Sequence, residues 1–192
     1  DTRLTTMSER YFAAVLAPAS VHDQIEQWVV PRRDQVWRWS DSSGWHITVA
    51  FYERVEPWRY PMLTENLAAA AARSASIRLR IDGVGVFPSP SAARVLYAQV
   101  SADTEELAIL AGHCRTAATR VGIAVPRRRY QPHLTLARSR RPVSAIRHLR
   151  ALSGLSSDGW VVTELVLVQS FLAEGPRYQV VARFPLANLA EG

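Results

Sequence analysis

Lysine is absent from this chain, and cysteine is nearly absent. All 23 basic residues are arginine, and Cys114 is the one cysteine among 192 residues. A single cysteine excludes an internal disulfide and a cluster of cysteine metal ligands. Arginine carries a planar fork that pairs with phosphate oxygens and can stack on bases. The net charge of +6 is therefore compatible with an anionic partner, although a basic composition alone does not establish one.

Long apolar runs are missing as well. No stretch approaches the length of a membrane span, and residues 1–9 lack the apolar centre of a signal peptide. We therefore expect no membrane association and a cytoplasmic location. The length and a hydrophobic content of 48% suit a single domain over residues 1–192, with residues 1–9 flexible and Met7 as a candidate natural start.

Two short segments share one pattern. Residues 46–50 read His-Ile-Thr-Val-Ala, and residues 133–137 read His-Leu-Thr-Leu-Ala. Both alternate aliphatic and polar side chains, which is typical of a strand with one buried face. A histidine on a strand is more often structural than catalytic. Agreement at the intervening positions and at the following alanine nevertheless favours catalysis.

Strand periodicity predicts which side chains accompany each histidine. Because residues i and i+2 point to the same side, His46 and Thr48 share a face, as do His133 and Thr135. The opposite faces are predicted to be buried, and they carry Ile47, Val49 and Phe51 in the first strand and Leu134 and Leu136 in the second. Each strand thus presents an imidazole and a hydroxyl together.

The rest of the chain predicts a mixture of strands and helices. Strands are expected at residues 10–16, 36–39, 45–52, 77–82, 95–100, 160–172 and 178–184, and helices at residues 20–30, 61–73, 106–121 and 144–152. Asp103 and Glu106 resemble a capping box, and residues 174–177 are expected to close a hairpin. This mixed order predicts the α+β class.

Each half of the chain contains a strand, a helix and one histidine segment. This weak repeat predicts two similar lobes, each an antiparallel sheet with helices packed outside. Together they would form a central cleft that receives one His-x-Thr strand from each lobe.

Arginines flank the second histidine segment on both sides: Arg127, Arg128 and Arg129 precede it, and Arg138, Arg140 and Arg141 follow it. A charge run is usually a solvated face. Contact with phosphate or RNA is the other interpretation of this cluster, and the residues alone leave both open.

These segments resemble those of the two-histidine (2H) phosphoesterases, and within that superfamily the bacterial RNA 2′,3′-cyclic phosphodiesterases, also called 2′-5′ RNA ligases. The matching stretches are R-Y-F-A-A-V-L, W-H-I-T-V-A-F, G-V-F-P with R-V-L-Y-A, P-H-L-T-L-A-R, and L-V-L-V-Q-S-F-L followed by G-P-R-Y. They keep the family's order over nearly the whole chain. The family's first motif usually continues Phe-Leu-Gly, whereas this chain has Phe51-Tyr52-Glu53.

The side chains suit the opening of a 2′,3′-cyclic phosphate. Water must lose a proton while the departing ribose oxygen gains one, and imidazoles titrate in the required range. Thr48 and Thr135 can donate to the non-bridging oxygens, and Arg138 can offset the developing charge. The sequence has neither a metal-ligand spacing nor a glycine-rich phosphate loop. We therefore expect no metal, no cofactor and no ATP-dependent ligase or kinase mechanism.

The resemblance implies more specific roles. His46 would protonate the 3′ leaving oxygen and His133 would activate water, which leaves a 2′-phosphate; reverse 2′-5′ ligation is a further implied activity. The partner would be RNA with a 2′,3′-cyclic phosphate end, or a small cyclic phosphodiester, bound by a monomer. From the residues themselves, candidate RNA contacts are Arg127, Arg128, Arg129, Tyr130 and Phe12, with core packing as the equal alternative for the two aromatic residues.

Two other functions stay open. The altered residues 52–53 motivate a 2H enzyme for another small phosphodiester, such as a 2′,5′-linked oligonucleotide or a cyclic nucleotide derivative. A non-catalytic RNA-binding module would use the arginine cluster and bind without turnover, although the paired His and Thr residues argue against it. The other histidines, His22, His113 and His148, fall in predicted helices without evident partners and are interpreted as structural or exposed.

Overall fold

The computed structural model describes residues 8–171 and 177–188. In these ranges the strands are β1 (Glu9–Val15), β2 (Arg38–Trp39), β3 (Ile47–Val55), β4 (Ile77–Phe87), β5 (Ala93–Ala102), β6 (His133–Val143), β7 (Trp160–Val162), β8 (Glu164–Ser170) and β9 (Tyr178–Pro185). The helices are α1 (Ala19–Val29), α2 (Tyr60–Ala72), α3 (Glu106–Thr119) and α4 (Ile146–Ala151).

The described strands form one sheet in the order β7-β4-β5-β6-β3-β1-β8-β9, and β2 pairs with β6 beside this path. Neighbouring strands in the sheet are antiparallel. The two histidine strands, β3 and β6, are neighbours at the centre. The predicted α+β class, with an antiparallel sheet and helices, is therefore confirmed.

Helices cover one face of the sheet. Val21, Ile25 and Val29 of α1, Leu63 and Leu67 of α2, and Leu107 and Leu110 of α3 are buried in the same hydrophobic core as Ile47 and Leu134 of the central strands. Burial of these side chains removes apolar surface from water and stabilises the fold. A smaller apolar cluster, built around Phe12 and Val166, lies on the other side of β1 and β8.

Most predicted elements occur close to their expected positions, but the strand predicted at residues 160–172 is wrong. It is interrupted at Thr163. β7 pairs with β4 near one end of the sheet, while β8 pairs with β1 and β9 near the other. The predicted pairing of the last two strands is confirmed by the β8–β9 ladder, while residues 174–176 of the expected turn lie outside the described residues.

Two predictions about element ends need correction. Within the described ranges no side chain caps α3: the expected capping box is wrong, and the backbone N–H of Glu106 instead lies 3.4 Å from the Thr104 hydroxyl. Glu9 begins β1, so the segment predicted to be flexible is already a strand at that residue. Residues 1–7 lie outside the described part. No helix in the described ranges is long and apolar enough to cross a membrane.

Candidate active site

The two His-x-Thr segments meet where β3 and β6 pair. Ile47 lies opposite Leu134, and both side chains are fully buried in the core on the helical side. Side chains alternate along a strand, so the preceding and following residues of each strand point away from that core. His46, Thr48, His133 and Thr135 are therefore brought together on the face of the sheet that the helices leave uncovered.

Each histidine strand contains a bulge just after its His-x-Thr pair, which changes the face on which the later residues lie. In β3, Ala13 lies opposite Ala50 and Ala14 opposite Thr48, which leaves Val49 as the extra residue. In β6, Tyr97 lies opposite Thr135 and Leu96 opposite Ala137, which leaves Leu136 as the extra residue. Each bulge comes three residues after the histidine, so the two strands carry the same distortion at equivalent positions.

The bulges bring the fifth residue after each histidine back to the histidine's face. Arg138 lies opposite Val95, which alternates with Tyr97, the partner of Thr135. Phe51 likewise lies opposite Phe12 and contributes to the small apolar cluster around that residue. The prediction that Phe51 shares the core face of Ile47 is therefore wrong. Phe51 and Arg138 occupy equivalent positions in the two halves.

A backbone carbonyl fixes the tautomer of each histidine. His46 Nδ1 lies 2.7 Å from the Gly44 carbonyl oxygen, and His133 Nδ1 lies 2.9 Å from that of Gln131. A carbonyl can only accept, so each Nδ1 carries the proton and donates. In the neutral ring Nε2 then holds a lone pair, and in the charged ring it holds a proton that can be transferred.

Aromatic rings hold both imidazoles in place. The His46 ring centroid lies 4.4 Å from that of Phe12 and 5.1 Å from that of Tyr178. The His133 centroid lies 5.1 Å from that of Phe87 and 5.4 Å from that of Tyr97. The Tyr97 ring rests over Gly85, where any Cβ would collide with it. Glycine at that position therefore leaves the space that the Tyr97 ring occupies.

Burial favours the neutral form of both histidines. It lowers the pKa of His46 to about 4; the hydrogen bond to Gly44 opposes this change, and the charges of Arg138 and of a protonated His133 add to it. Burial also lowers the pKa of His133, with a further decrease from Arg138. An anionic phosphate bound between the rings would oppose the effect of Arg138 and raise both pKa values.

A cavity of about 640 Å³ opens beside His46. Thr135 and Arg138 line it together with His46, and further walls come from β2 and from residues 41–44. His133 and Thr48 do not line this cavity, although they share the same face of the sheet. The site therefore consists of the paired histidines and an adjoining cavity on one side of them.

The predicted RNA-contact residues differ in burial and in the contacts they make. Phe12 is only 2% exposed and packs on His46, so it has no free ring face for a base, and that prediction is wrong. Tyr130 is half-buried and its hydroxyl donates to the Thr48 carbonyl at 3.1 Å, which ties the two histidine segments together. Its contact with RNA stays a prediction, as does that of the exposed Arg127, Arg128 and Arg129, which precede β6.

Several residues of the site were not predicted from the sequence. They are Gly44 and Gln131, whose carbonyls hold the histidines; Phe87, Tyr97 and Tyr178, whose rings pack against them; and Arg38 and Trp39, which line the cavity. The alternation around Tyr97 indicated a strand, but the pairing of β5 with β6 is not readable from one sequence.

Two histidines outside the site have partners that the sequence did not indicate. His148 is buried, and its Nε2 lies 2.8 Å from the Asp34 carboxylate. His113 Nδ1 lies 3.0 Å from the Ser74 hydroxyl. In the described part of the chain, no three His, Cys, Asp or Glu residues are grouped so that they could hold a metal ion.

The model of the 2′-5′ RNA ligase superfamily matches residues 17–170, which is well over half of the chain and includes both histidine segments. The chain belongs to this superfamily. The resemblance to the 2H phosphoesterases drawn from the sequence motifs is thereby confirmed.

Individual relatives of the superfamily agree with this result. An RNA 2′,3′-cyclic phosphodiesterase of Geobacillus stearothermophilus is 33% identical over 161 residues, which are 80% of this chain and 49% of that protein. The chain thus spans about half the length of this relative. One of Bacillus subtilis is 25% identical over 92% of this chain and 96% of its own length. A crystal structure from Thermus thermophilus superposes with a TM-score of 0.75 at 27% identity, covering 93% of this chain and 98% of that one.

Proposed function

We propose that the chain hydrolyses RNA 2′,3′-cyclic phosphate ends to 2′-phosphates by paired-histidine acid–base catalysis. The observation that carries the proposal is the presence of two imidazoles on one sheet face, each with Nδ1–H held by a backbone carbonyl. The names of the Geobacillus and Bacillus relatives support the same substrate. Reverse 2′-5′ ligation would use the same groups in the opposite direction.

In the forward reaction His133 Nε2 takes a proton from the attacking water. His46, protonated at Nε2, gives its proton to O3′ as the phosphorus–oxygen bond breaks, so the phosphate stays on O2′. Because the pKa of free His46 is about 4, that proton is held only once the anionic diester lies between the rings. Thr48 and Thr135 donate to the non-bridging oxygens, and Arg138 offsets the charge that develops on them.

The two halves of the sheet would serve as the two lobes of the site. On one side of the β3–β6 junction lie β1, β8 and β9, and on the other lie β5, β4 and β7. Each half contributes one histidine, one threonine and one bulge at an equivalent position. The substrate phosphorus would sit over the junction, in line between the two imidazoles.

Incubation with an RNA that ends in a 2′,3′-cyclic phosphate tests the proposal directly. The expected product carries a 2′-phosphate, identified by its mobility and by phosphorus NMR. Since both proton transfers belong to imidazoles, turnover should be unchanged in EDTA. A 3′-phosphate product, or activity that EDTA abolishes and zinc or magnesium restores, would contradict the mechanism.

The same experiment distinguishes the two alternative functions. Tight binding without turnover would favour a non-catalytic RNA-binding module. Turnover of only 2′,5′-oligonucleotides or cyclic nucleotides would favour a 2H enzyme for another small phosphodiester.

Leaving-group dependence tests the two histidine roles. His46→Ala and His133→Ala should each lower kcat by roughly 10²- to 10⁴-fold on a ribose cyclic phosphate. A nitrophenolate departs without a proton, so on a nitrophenyl phosphodiester the His46→Ala variant should recover much of its rate. The His133→Ala variant should not, because water must still be deprotonated. The reverse pattern would exchange the assignments.

A further inference from the structure

The cavity beside His46 extends beyond the reacting phosphate. From His46 and Thr135 it continues along β2 and the later part of β6, where Arg38, Arg138 and Arg140 line it. Its volume of about 640 Å³ is in the range of sites that enclose a whole ligand rather than one phosphate group. A cyclic phosphate held by the histidines and threonines would therefore leave much of this space free.

The cavity is strongly positive. Arg38 lies directly opposite Arg138 in the β2–β6 ladder, and Arg140 follows Arg138 by two residues on the same strand. Residues two apart on a strand are separated by roughly 6.5 Å. Among the described residues, none of these three guanidinium groups forms an ion pair with a carboxylate. A carboxylate in the lining, that of Asp41, already accepts the backbone N–H of Ser43.

Such a group of cations suits a second phosphate. An RNA that ends in a 2′,3′-cyclic phosphate can continue only from the 5′ oxygen of its last nucleotide, so its remaining phosphates must leave the site on one side. Two basic regions flank the histidine of β6, namely Arg127 to Arg129 before it and Arg138 to Arg140 after it. The cavity is on the Arg138 side.

We propose that this cavity binds the phosphodiester linking the last two nucleotides of the RNA, with Arg38 and Arg140 as its ligands. The inference rests on the proposed function and specifies its substrate as an oligonucleotide rather than a mononucleotide. Trp39 and the 38% exposed Tyr178 line the same cavity and provide aromatic surface for a base. Stacking of this kind accepts any base, so the site would select for chain length and charge rather than sequence.

Three substrates distinguish the contribution of the second phosphate from that of the reacting phosphate. They are a nucleoside 2′,3′-cyclic phosphate, a dinucleotide ending in the same cyclic phosphate, and that dinucleotide with a neutral methylphosphonate linkage. The variants are Arg38→Gln and Arg140→Gln. Arg120→Gln is the matched control, because Arg120 is exposed just after α3 and does not line the cavity.

The wild-type protein should prefer the charged dinucleotide in kcat/KM over both other substrates. Arg38→Gln and Arg140→Gln should reduce that preference by about 10-fold or more, the usual effect of losing a charge-assisted hydrogen bond. Arg120→Gln should retain it. Absence of a preference in the wild type, equal losses on all three substrates, or a loss caused by Arg127→Gln instead would overturn the proposal.

Failure of the proposed function would be recognised separately, because then none of the three cyclic phosphates would be hydrolysed. In that case, calorimetric binding of the charged and the methylphosphonate dinucleotides still tests whether the cavity binds a second phosphate. Weaker binding of the charged one by Arg38→Gln than by the wild type supports the second phosphate site. Equal binding by both proteins overturns it.

Discussion

At the scale of single residues, both imidazoles are committed to one tautomer by the carbonyl two positions earlier in the chain. His46 uses Gly44, at the end of a 3₁₀ turn in which the Asp41 side chain accepts the backbone N–H of Ser43, and His133 uses Gln131. The same local geometry in two distant segments gives both rings an Nε2 atom free for proton transfer. Any difference between the roles proposed for the two rings must then come from their surroundings.

The pKa of His46 makes a prediction about stability. Because folding lowers this pKa from 6.5 to about 4, the unfolded chain binds more protons than the folded protein between these values. The free energy of unfolding should therefore fall as pH decreases from 6.5 to 4, by up to roughly 3 kcal/mol from this residue. Urea titrations of His46→Gln should show a smaller decrease over this window. An unchanged pH dependence in that variant would contradict the assignment, and Arg120→Gln should behave like the wild type.

Single residues also show what one sequence can and cannot reveal. The alternation in residues 46–50 and 133–137 was sufficient to predict that each His shares a face with its Thr. It could not predict that Phe51 and Arg138 rejoin that face, because a bulge depends on the register against a neighbouring strand. The contact of Phe12 with His46 was hidden for the same reason, since it follows from the β1–β3 pairing.

At the scale of elements, the short strand β2 depends on Asp34. The Asp34 carboxylate accepts hydrogen bonds from His148 at 2.8 Å, Arg147 at 2.9 Å and the Val36 backbone N–H at 3.1 Å. The backbone carbonyl of Asp34 accepts from the Trp39 indole N–H. Burial acts to raise the pKa of Asp34, but these hydrogen bonds lower it below its usual value. They anchor the chain just before Arg38 and Trp39, which form one wall of the cavity.

Asp34→Asn should weaken this anchor without changing the size of the side chain. Loss of the charged hydrogen bonds should reduce the free energy of unfolding by about 1–3 kcal/mol. Displacement of β2 should raise KM for an RNA substrate more than it lowers kcat. Asp103→Asn is the control, since its ion pair with Arg80 is exposed and should contribute less than about 1 kcal/mol. Equal stability losses in the two variants would show that the Asp34 cluster is no more than another surface pair.

Elements with clear local signals were the easiest to predict. The helix at 61–73 was recognised from Pro61 and the alanine series, the helix at 106–121 from apolar residues on one face, and the first strand from its apolar run. The strand at 160–172 was not resolved into two, since Trp160, Val162 and Val166 continue one apolar run across Thr163. Only long-range pairing separates them. His148 was likewise classed as unpartnered because Asp34 is 114 residues away.

At the scale of the whole molecule, one hydrophobic core extends under both halves of the sheet. Buried residues of β1 and β8 belong to the same cluster as those of β4 and β5, with Ile47 and Leu134 at the junction. Each half carries its own histidine and threonine, but the halves share the side chains that stabilise them. A shared core of this kind favours a single cooperative transition.

Leu134→Ala tests this shared core. Leu134 is fully buried, so its truncation should lower the free energy of unfolding by about 2–5 kcal/mol. Fluorescence and far-UV circular dichroism should still report one coincident transition. Ile146→Ala, at a side chain that is 45% exposed, should have a much smaller effect. Two separate transitions in either the wild type or the Leu134 variant would mean that the halves unfold independently.

Thr163 is the single residue between β7 and β8, which belong to opposite halves of the sheet. Its carbonyl accepts the backbone N–H of Leu186, and the parallel bridge between Ala75 and Ala187 lies close by in the chain. The halves are therefore connected twice, by the β3–β6 pair and by these contacts between the chain before β4 and the chain after β9. Two connections should restrict the movement of one half relative to the other. We therefore expect the separation between the two imidazoles to change little when a substrate binds.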